Sequence, residues 1–217
     1  MFSDLDSIIF PDSCEVIKVS SQQYVYSIFK NGSNSLSYEQ QRQGWTTISA
    51  DKINDSTVPI TVFLRDPRDR FISGVNTFVQ HCLRDNPKLD IPTVMHFVKN
   101  FLFLNTHYCP QFFWLVNLSR FNSNRIKLQG MTDLAQLTDL KGHAGVVPPT
   151  DEFVDSLSDF PWQKLELYFF LDQLLIERIG QEITVAEFVA DINQQHPELY
   201  KLIFQHTQDL VNVLSKT

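Results

Sequence analysis

Tyr24-Val-Tyr-Ser-Ile-Phe-Lys30-Asn-Gly32-Ser33-Asn-Ser35-Leu36 reads as a strand that runs into a short polar loop and then into a helix start. Backbone N–H groups at a helix N-terminus have no partners inside the helix and point at whatever lies in front of them. Gly32 has no Cβ to restrict its backbone angles. Ser33 and Ser35 bring hydroxyl donors, and Lys30 brings a positive charge on a long stem. A Walker A loop needs Gly-x-x-x-x-Gly-Lys-Ser/Thr, with the lysine after the glycines. Here Lys30 precedes a single Gly32. On its own the stretch reads equally well as a plain strand-to-helix turn with a solvated lysine.

A second turn of the same kind tips the balance. Ile60-Thr-Val-Phe-Leu-Arg65-Asp-Pro67-Arg68-Asp-Arg70-Phe-Ile-Ser73 is an apolar strand that ends in charge and starts a helix. Asp66 suits the N-cap and Pro67 the first helical position. Arg65 then sits at the strand's carboxyl end, and Arg70 and Ser73, three apart, share a helix face. Arg65 and Ser73 can both reach one phosphate at the carboxyl edge of an open α/β sheet, where such folds bind ligands. Arg68 is read as solvated, pairing locally with Asp66 and Asp69. Two strand-to-helix turns rich in anion-binding groups point to a ligand with phosphates at two separate places.

These residues resemble a known family. The loop Ile28 to Leu36, with Lys30, Asn31, Gly32, Ser33, Asn34 and Ser35, is similar to the 5′-phosphosulfate loop of sulfotransferases that use 3′-phosphoadenosine 5′-phosphosulfate (PAPS). The stretch from Arg65 to Ser73 is similar to their 3′-phosphate motif, including the eight-residue step from arginine to serine. Asn105-Thr-His107-Tyr108-Cys-Pro-Gln111 resembles the His-aromatic segment of Golgi-type carbohydrate sulfotransferases. Arg125 to Leu134 resembles the strand and turn after it, and Tyr168-Phe-Phe-Leu-Asp172 a segment near that family's C-terminal end. The likeness runs in order from about residue 15 to residue 178.

The resemblance implies a single α/β domain over 1–217, P-loop-like, with a central, mainly parallel sheet flanked by helices and a helical C-terminal end. Residues 184–217 lie outside the matched part. It implies transfer of a sulfuryl group from PAPS to a hydroxyl of a carbohydrate or other small acceptor, releasing adenosine 3′,5′-bisphosphate. It assigns the cofactor to Lys30, Asn31, Gly32, Ser33, Asn34, Ser35, Arg65 and Ser73. Two other readings stay open: a P-loop phosphoryl transferase, and a non-catalytic nucleotide-binding protein on the same fold.

Sulfuryl transfer needs an aligned acceptor hydroxyl, stabilisation of the leaving phosphate and a base for the hydroxyl proton. Lys30 is assigned the second role. Many relatives carry a histidine or glutamate between the two cofactor motifs, but no histidine lies between Leu36 and Arg65 here. The base candidates are, in order, His107, Glu39 and Asp51. Histidine titrates near neutrality, which suits a base; the other reading of His107 is that it orders the turn before Pro110.

The 217 residues suffice for one α/β domain with a sizeable core, to which 18 phenylalanines contribute. A net charge of −7 argues against binding nucleic acid through phosphate neutralisation. Cys14, Cys82 and Cys109 have no paired spacing and are read as reduced thiols. No histidine–cysteine spacing fits a zinc site. With no signal-like or membrane-length apolar run, the expectation is a cytoplasmic chain without a membrane anchor, unlike the Golgi relatives.

Helices are expected over 92–104, 161–179, 184–194 and 197–214, a strand over 125–129, and a loop over 142–150 that can act as a flap. Asp172 falls on the apolar stripe of Leu165, Phe169, Ile176 and Ile179. It either pairs with a buried base or marks the stripe's polar margin.

Overall fold

The computed structural model describes residues 10, 13–100, 105–138, 148–203 and 205. The chain begins with a hairpin, β1 (Glu15–Ser20) and β2 (Gln23–Tyr26), and passes through the Lys30 loop into α1 (Ser33–Gln43). β3 (Thr46–Ser49) leads through a single 3₁₀ turn to β4 (Ile60–Leu64), α2 (Pro67–Asp85), α3 (Ile91–Asn100) and α4 (Gln111–Phe121). β5 (Ile126–Gly130), α5 (Met131–Leu137), α6 (Asp151–Ser156), α7 (Trp162–Ile176), β6 (Glu182–Ile183) and α8 (Val185–Gln195) follow.

The strands form one mixed sheet in the order β3-β1-β2-β4-β5-β6. Its centre, β2, β4 and β5, is parallel, while β1, β3 and β6 add antiparallel edges. All five residues of β4 are buried, as expected of a central strand covered on both faces.

Alternation along the strands sorts the core into two layers. Val25 and Phe63 point to one face and pack with Leu36 of α1 and Leu134 of α5. Tyr24, Tyr26, Ile60, Val62 and Leu64 point to the other, where the larger core collects Phe71 of α2, Phe113 of α4 and Tyr168 of α7. The helix after β2 therefore lies on one face and the helix after β4 on the other. From β2 the chain travels toward β3 at one edge; from β4 it travels toward β5 on the opposite side. This reversal between two adjacent parallel strands opens a crevice at their carboxyl ends.

The expected helix at 161–179 is α7, which stops at Ile176 and continues as turns to Gly180. The one at 92–104 is α3; residues 101–104 lie outside the described part. Of the expected loop, 148–150 is irregular and 142–147 lies outside the described residues. Helix also runs over 197–203; of the rest of that expected helix, 206–214 lies outside the described part.

Candidate functional site

The crevice between β2 and β4 holds a cleft of about 600 Å³. Lys30, Gly32, Ser33, Asn34, Ser35, Arg65, Ser73 and His107 all line it.

The loop starts from strain. Lys30 adopts a left-handed φ of 69°, and Gly32 follows with φ 80° as the residue before α1. The left-handed φ is what calls for glycine at Gly32; a Cβ there would also lie 2.2 Å from Leu134 Cδ2 and push that leucine's end aside. The first helical bond of α1 runs from the Leu36 amide to the Gly32 carbonyl, at 3.0 Å. The amides of Ser33, Asn34 and Ser35 therefore have no acceptor in their own helix.

Asp66 caps α2 by accepting from the Asp69 amide at 2.9 Å, with Pro67 at the first position as its residue type predicts. Arg65 Nη1 donates to the Lys30 carbonyl at 3.2 Å, tying the second turn to the first. Lys30 Nζ donates to Thr77 Oγ1 at 2.6 Å, and Thr77 Oγ1 donates to the Ser73 carbonyl at 3.1 Å. Lys30 thus spans the cleft onto the wall of α2.

Among the described residues, neither Lys30 nor Arg65 has a carboxylate partner; their polar contacts are Thr77 Oγ1 and the Lys30 carbonyl. Burial, then Arg65 and Arg70, push the Lys30 ammonium below its ordinary range. Although the chain is acidic overall, among the described residues the cleft is lined by the side chains of Lys30 and Arg65 against one carboxylate, Asp69, which is paired with neither. Together with the unpartnered first amides of α1 this is an arrangement that favours an anion.

His107 sits in a turn pressed against α2. A Cβ on Gly74 would lie 2.1 Å from the His107 carbonyl oxygen, so only glycine allows this approach. The ring has Phe29 and His81 beside it, each 5.4 Å away between centroids. Burial, then Lys30, His81 and Arg70, lower its pKa from 6.5 to about 4. At neutral pH the ring is therefore uncharged and has a lone pair to offer.

Several expected roles change. Asn31 does not line the cleft: its side chain is buried and donates to the Phe63 carbonyl at 2.7 Å and to Gln111 Oε1 at 2.5 Å. Glu39 faces away, its carboxylate held by Arg42 Nε at 2.9–3.0 Å, and it does not reach the cleft. That hydrogen bond holds its pKa below the usual carboxylate range. Asp51 lies exposed in the 3₁₀ turn, away from the cleft.

Arg70 points inward and is 1% exposed. It donates to the carbonyls of Phe29 at 3.0 Å, of Thr106 at 3.5 Å and of Cys109, and so binds the Lys30 loop to the His107 turn. Arg68 is exposed, as read, and lies over the Trp162 ring, 4.5 Å from its centroid, in place of the expected pairing with Asp66 and Asp69.

Gln111 is the residue whose role was not read from the sequence. Its Oε1 accepts from the Arg65 amide at 3.0 Å and from Asn31, and its Nε2 donates to the Arg65 carbonyl at 2.8 Å. One buried amide thereby satisfies the backbone of β4's end and grips the loop that carries Lys30. Asp172 accepts from the amides of Gln111 at 2.8 Å and Phe112 at 2.9 Å, closing the N-terminus of α4. Burial raises its pKa to about 6, opposed by those amides and by Arg70. An amide directly after Pro110 at a helix start was the available signal for Gln111; its partners are distant in sequence.

No family model matches this chain, and no curated protein and no solved structure matches it.

Proposed function

We propose that the chain transfers a sulfuryl group from PAPS to the hydroxyl of a carbohydrate or other small acceptor, on a P-loop-like α/β domain. The observation that carries this reading is the convergence of Lys30, Ser33, Ser35, Arg65, Ser73 and His107 on one cleft. These residues come from separate stretches of sequence, and each was assigned a role in the same reaction.

The donor set suits such a ligand. The cleft volume falls within the roughly 300–1,000 Å³ range of cofactor sites. The α1 amides with Ser33 and Ser35 would hold the 5′ side, and Arg65 with Ser73 the 3′-phosphate. Bound PAPS would supply an activated sulfuryl group and a phosphate leaving group. Lys30 would stabilise negative charge on that phosphate, and His107 would accept the hydroxyl proton. Negative charge brought beside Lys30 offsets the part of the His107 depression that comes from Lys30, while burial, the larger cause, remains.

Calorimetry with adenosine 3′,5′-bisphosphate and AMP tests the reading. Each charge-assisted contact is worth about 1.5–3 kcal/mol, so the bisphosphate is expected to bind roughly tenfold or more tighter. Equal affinity would end the assignment of Arg65 and Ser73. A preference for ATP with Mg²⁺ would replace sulfuryl by phosphoryl transfer.

A further inference from the structure

We infer that Asn105 is a positioning residue that selects which nitrogen of His107 carries the proton. Asn105 Oδ1 lies 2.9 Å from the His107 backbone nitrogen and 2.8 Å from its ring Nδ1. A backbone N–H only donates, so the side-chain atom facing it is the oxygen and not the amide nitrogen. An oxygen at hydrogen-bond distance from Nδ1 then requires a proton on Nδ1. Neutral imidazole carries one ring proton, so Nε2 keeps its lone pair, and His107 lines the cleft. Among the described residues no protein group pairs with Nε2.

The surroundings hold this arrangement from several sides. The Asn105 carbonyl accepts from the Tyr108 amide at 3.1 Å and the Cys109 amide at 2.8 Å, which closes the turn. Gly74 lets α2 meet the His107 backbone, and Arg70 holds the carbonyls of Thr106 and Cys109. The charged and titratable groups facing the ring are Lys30 from the loop and His81 and Arg70 from α2. All are bases, so they keep the ring neutral but do not choose between its nitrogens; Asn105 does.

That His107 takes an acceptor's proton rests on the sulfuryl-transfer reading. The tautomer does not, and it is read on the protein alone, separately from the bisphosphate calorimetry. The experiment is a two-bond ¹H–¹⁵N spectrum of histidine-labelled protein at neutral pH, with His107 assigned through His107→Gln. The expected result is an Nδ1–H tautomer in the wild type. Asn105→Ala is expected to move the population toward Nε2–H and to lower kcat/KM on the order of 10²-fold. Asn105→Asp is expected to retain the Nδ1–H form and to raise the ring's pKa from about 4 back toward 6.5. An Nε2–H tautomer in the wild type overturns the inference. So does an Asn105→Ala spectrum identical to the wild type. Should Asn105→Ala not fold, the wild-type spectrum and the Asn105→Asp titration decide the matter.

Discussion

Lys30 concentrates the chemistry of the cleft into one side chain. It occupies a backbone region that disfavours a Cβ, and its ammonium is tied to α2 through Thr77. Such strain persists only where surrounding contacts over-determine it, as the Arg65 bond to its carbonyl does here. If Lys30 bears the charge that develops on a leaving phosphate, Lys30→Ala lowers turnover by about 10²–10³, the usual loss for one such donor. Binding of the bisphosphate product should weaken far less. Turnover measured beside calorimetry separates the two effects, and wild-type turnover in the variant would reduce Lys30 to a structural lysine. Its companions divide differently: Ser33 and Ser35 meet the cleft, whereas Asn31 between Lys30 and Gly32 serves the interior. The alternation is a matter of which way each side chain leaves a tight turn, and residue type alone does not reveal it.

At the scale of elements, the site is two helices and a turn brought together by small residues. α2 supplies Ser73, Thr77 and His81 to the cleft along one face, while its opposite side buries Phe71, Val75 and Val79. Between these faces Gly74 admits the His107 turn. Gly74→Ala places a methyl group against a backbone carbonyl, which no rotamer change relieves. Overpacking of this kind costs typically about 1–3 kcal/mol. Urea unfolding of Gly74→Ala should therefore show a lower midpoint at unchanged m, and its activity should fall because the turn carries His107. Gly44→Ala is the control for the methyl group, since nothing lies within 4 Å of a Cβ there, though its φ of 69° carries a strain of its own. A Gly74→Ala protein as stable as the wild type would mean that the turn and α2 move apart freely.

Across the whole molecule, two groups far apart in sequence oppose each other in the same pH window. The folded pKa of Asp172 is about 6 against an ordinary 3.8, so the folded state holds a proton that the unfolded chain has released. Its contribution to stability is fully present below pH 4 and is lost as pH rises through 6, at most about 3 kcal/mol. His107 is depressed from 6.5 to about 4, so it acts the other way and stability rises with pH over that range. The ring is only half-buried and partly screened by water, so Asp172 is the stronger of the pair. Stability from urea unfolding should decline gently from pH 4 to 6 in the wild type. His107→Ala should steepen the decline, and Asp172→Asn should reverse its sign. An unchanged slope in Asp172→Asn would show that the carboxyl is ionised throughout.

Local patterns carried much of this in the chain itself. Apolar runs ending in Lys30 and Arg65 marked β2 and β4, because a strand leaving a buried sheet must end in groups that tolerate water. Asp66 with Pro67 marked the start of α2, and the left-handed need of the turn marked Gly32, because capping and φ are decided by neighbours along the chain. Arg65, Ser73 and His107 were legible as candidates for the same reason: their motifs are contiguous. Contacts between distant segments were not legible. Arg70 belongs by spacing to the helix face of Ser73, yet it turns inward, because the carbonyls of Phe29, Thr106 and Cys109 converge on it only once three segments are packed. Glu39 has a base's chemistry, but Arg42 one turn along α1 claims it. Asp172 read as an anomaly on an apolar stripe, and its partners, the first amides of α4, lie about sixty residues earlier in the chain. A buried polar group must find a partner, and only the folded backbone determines which one is within reach.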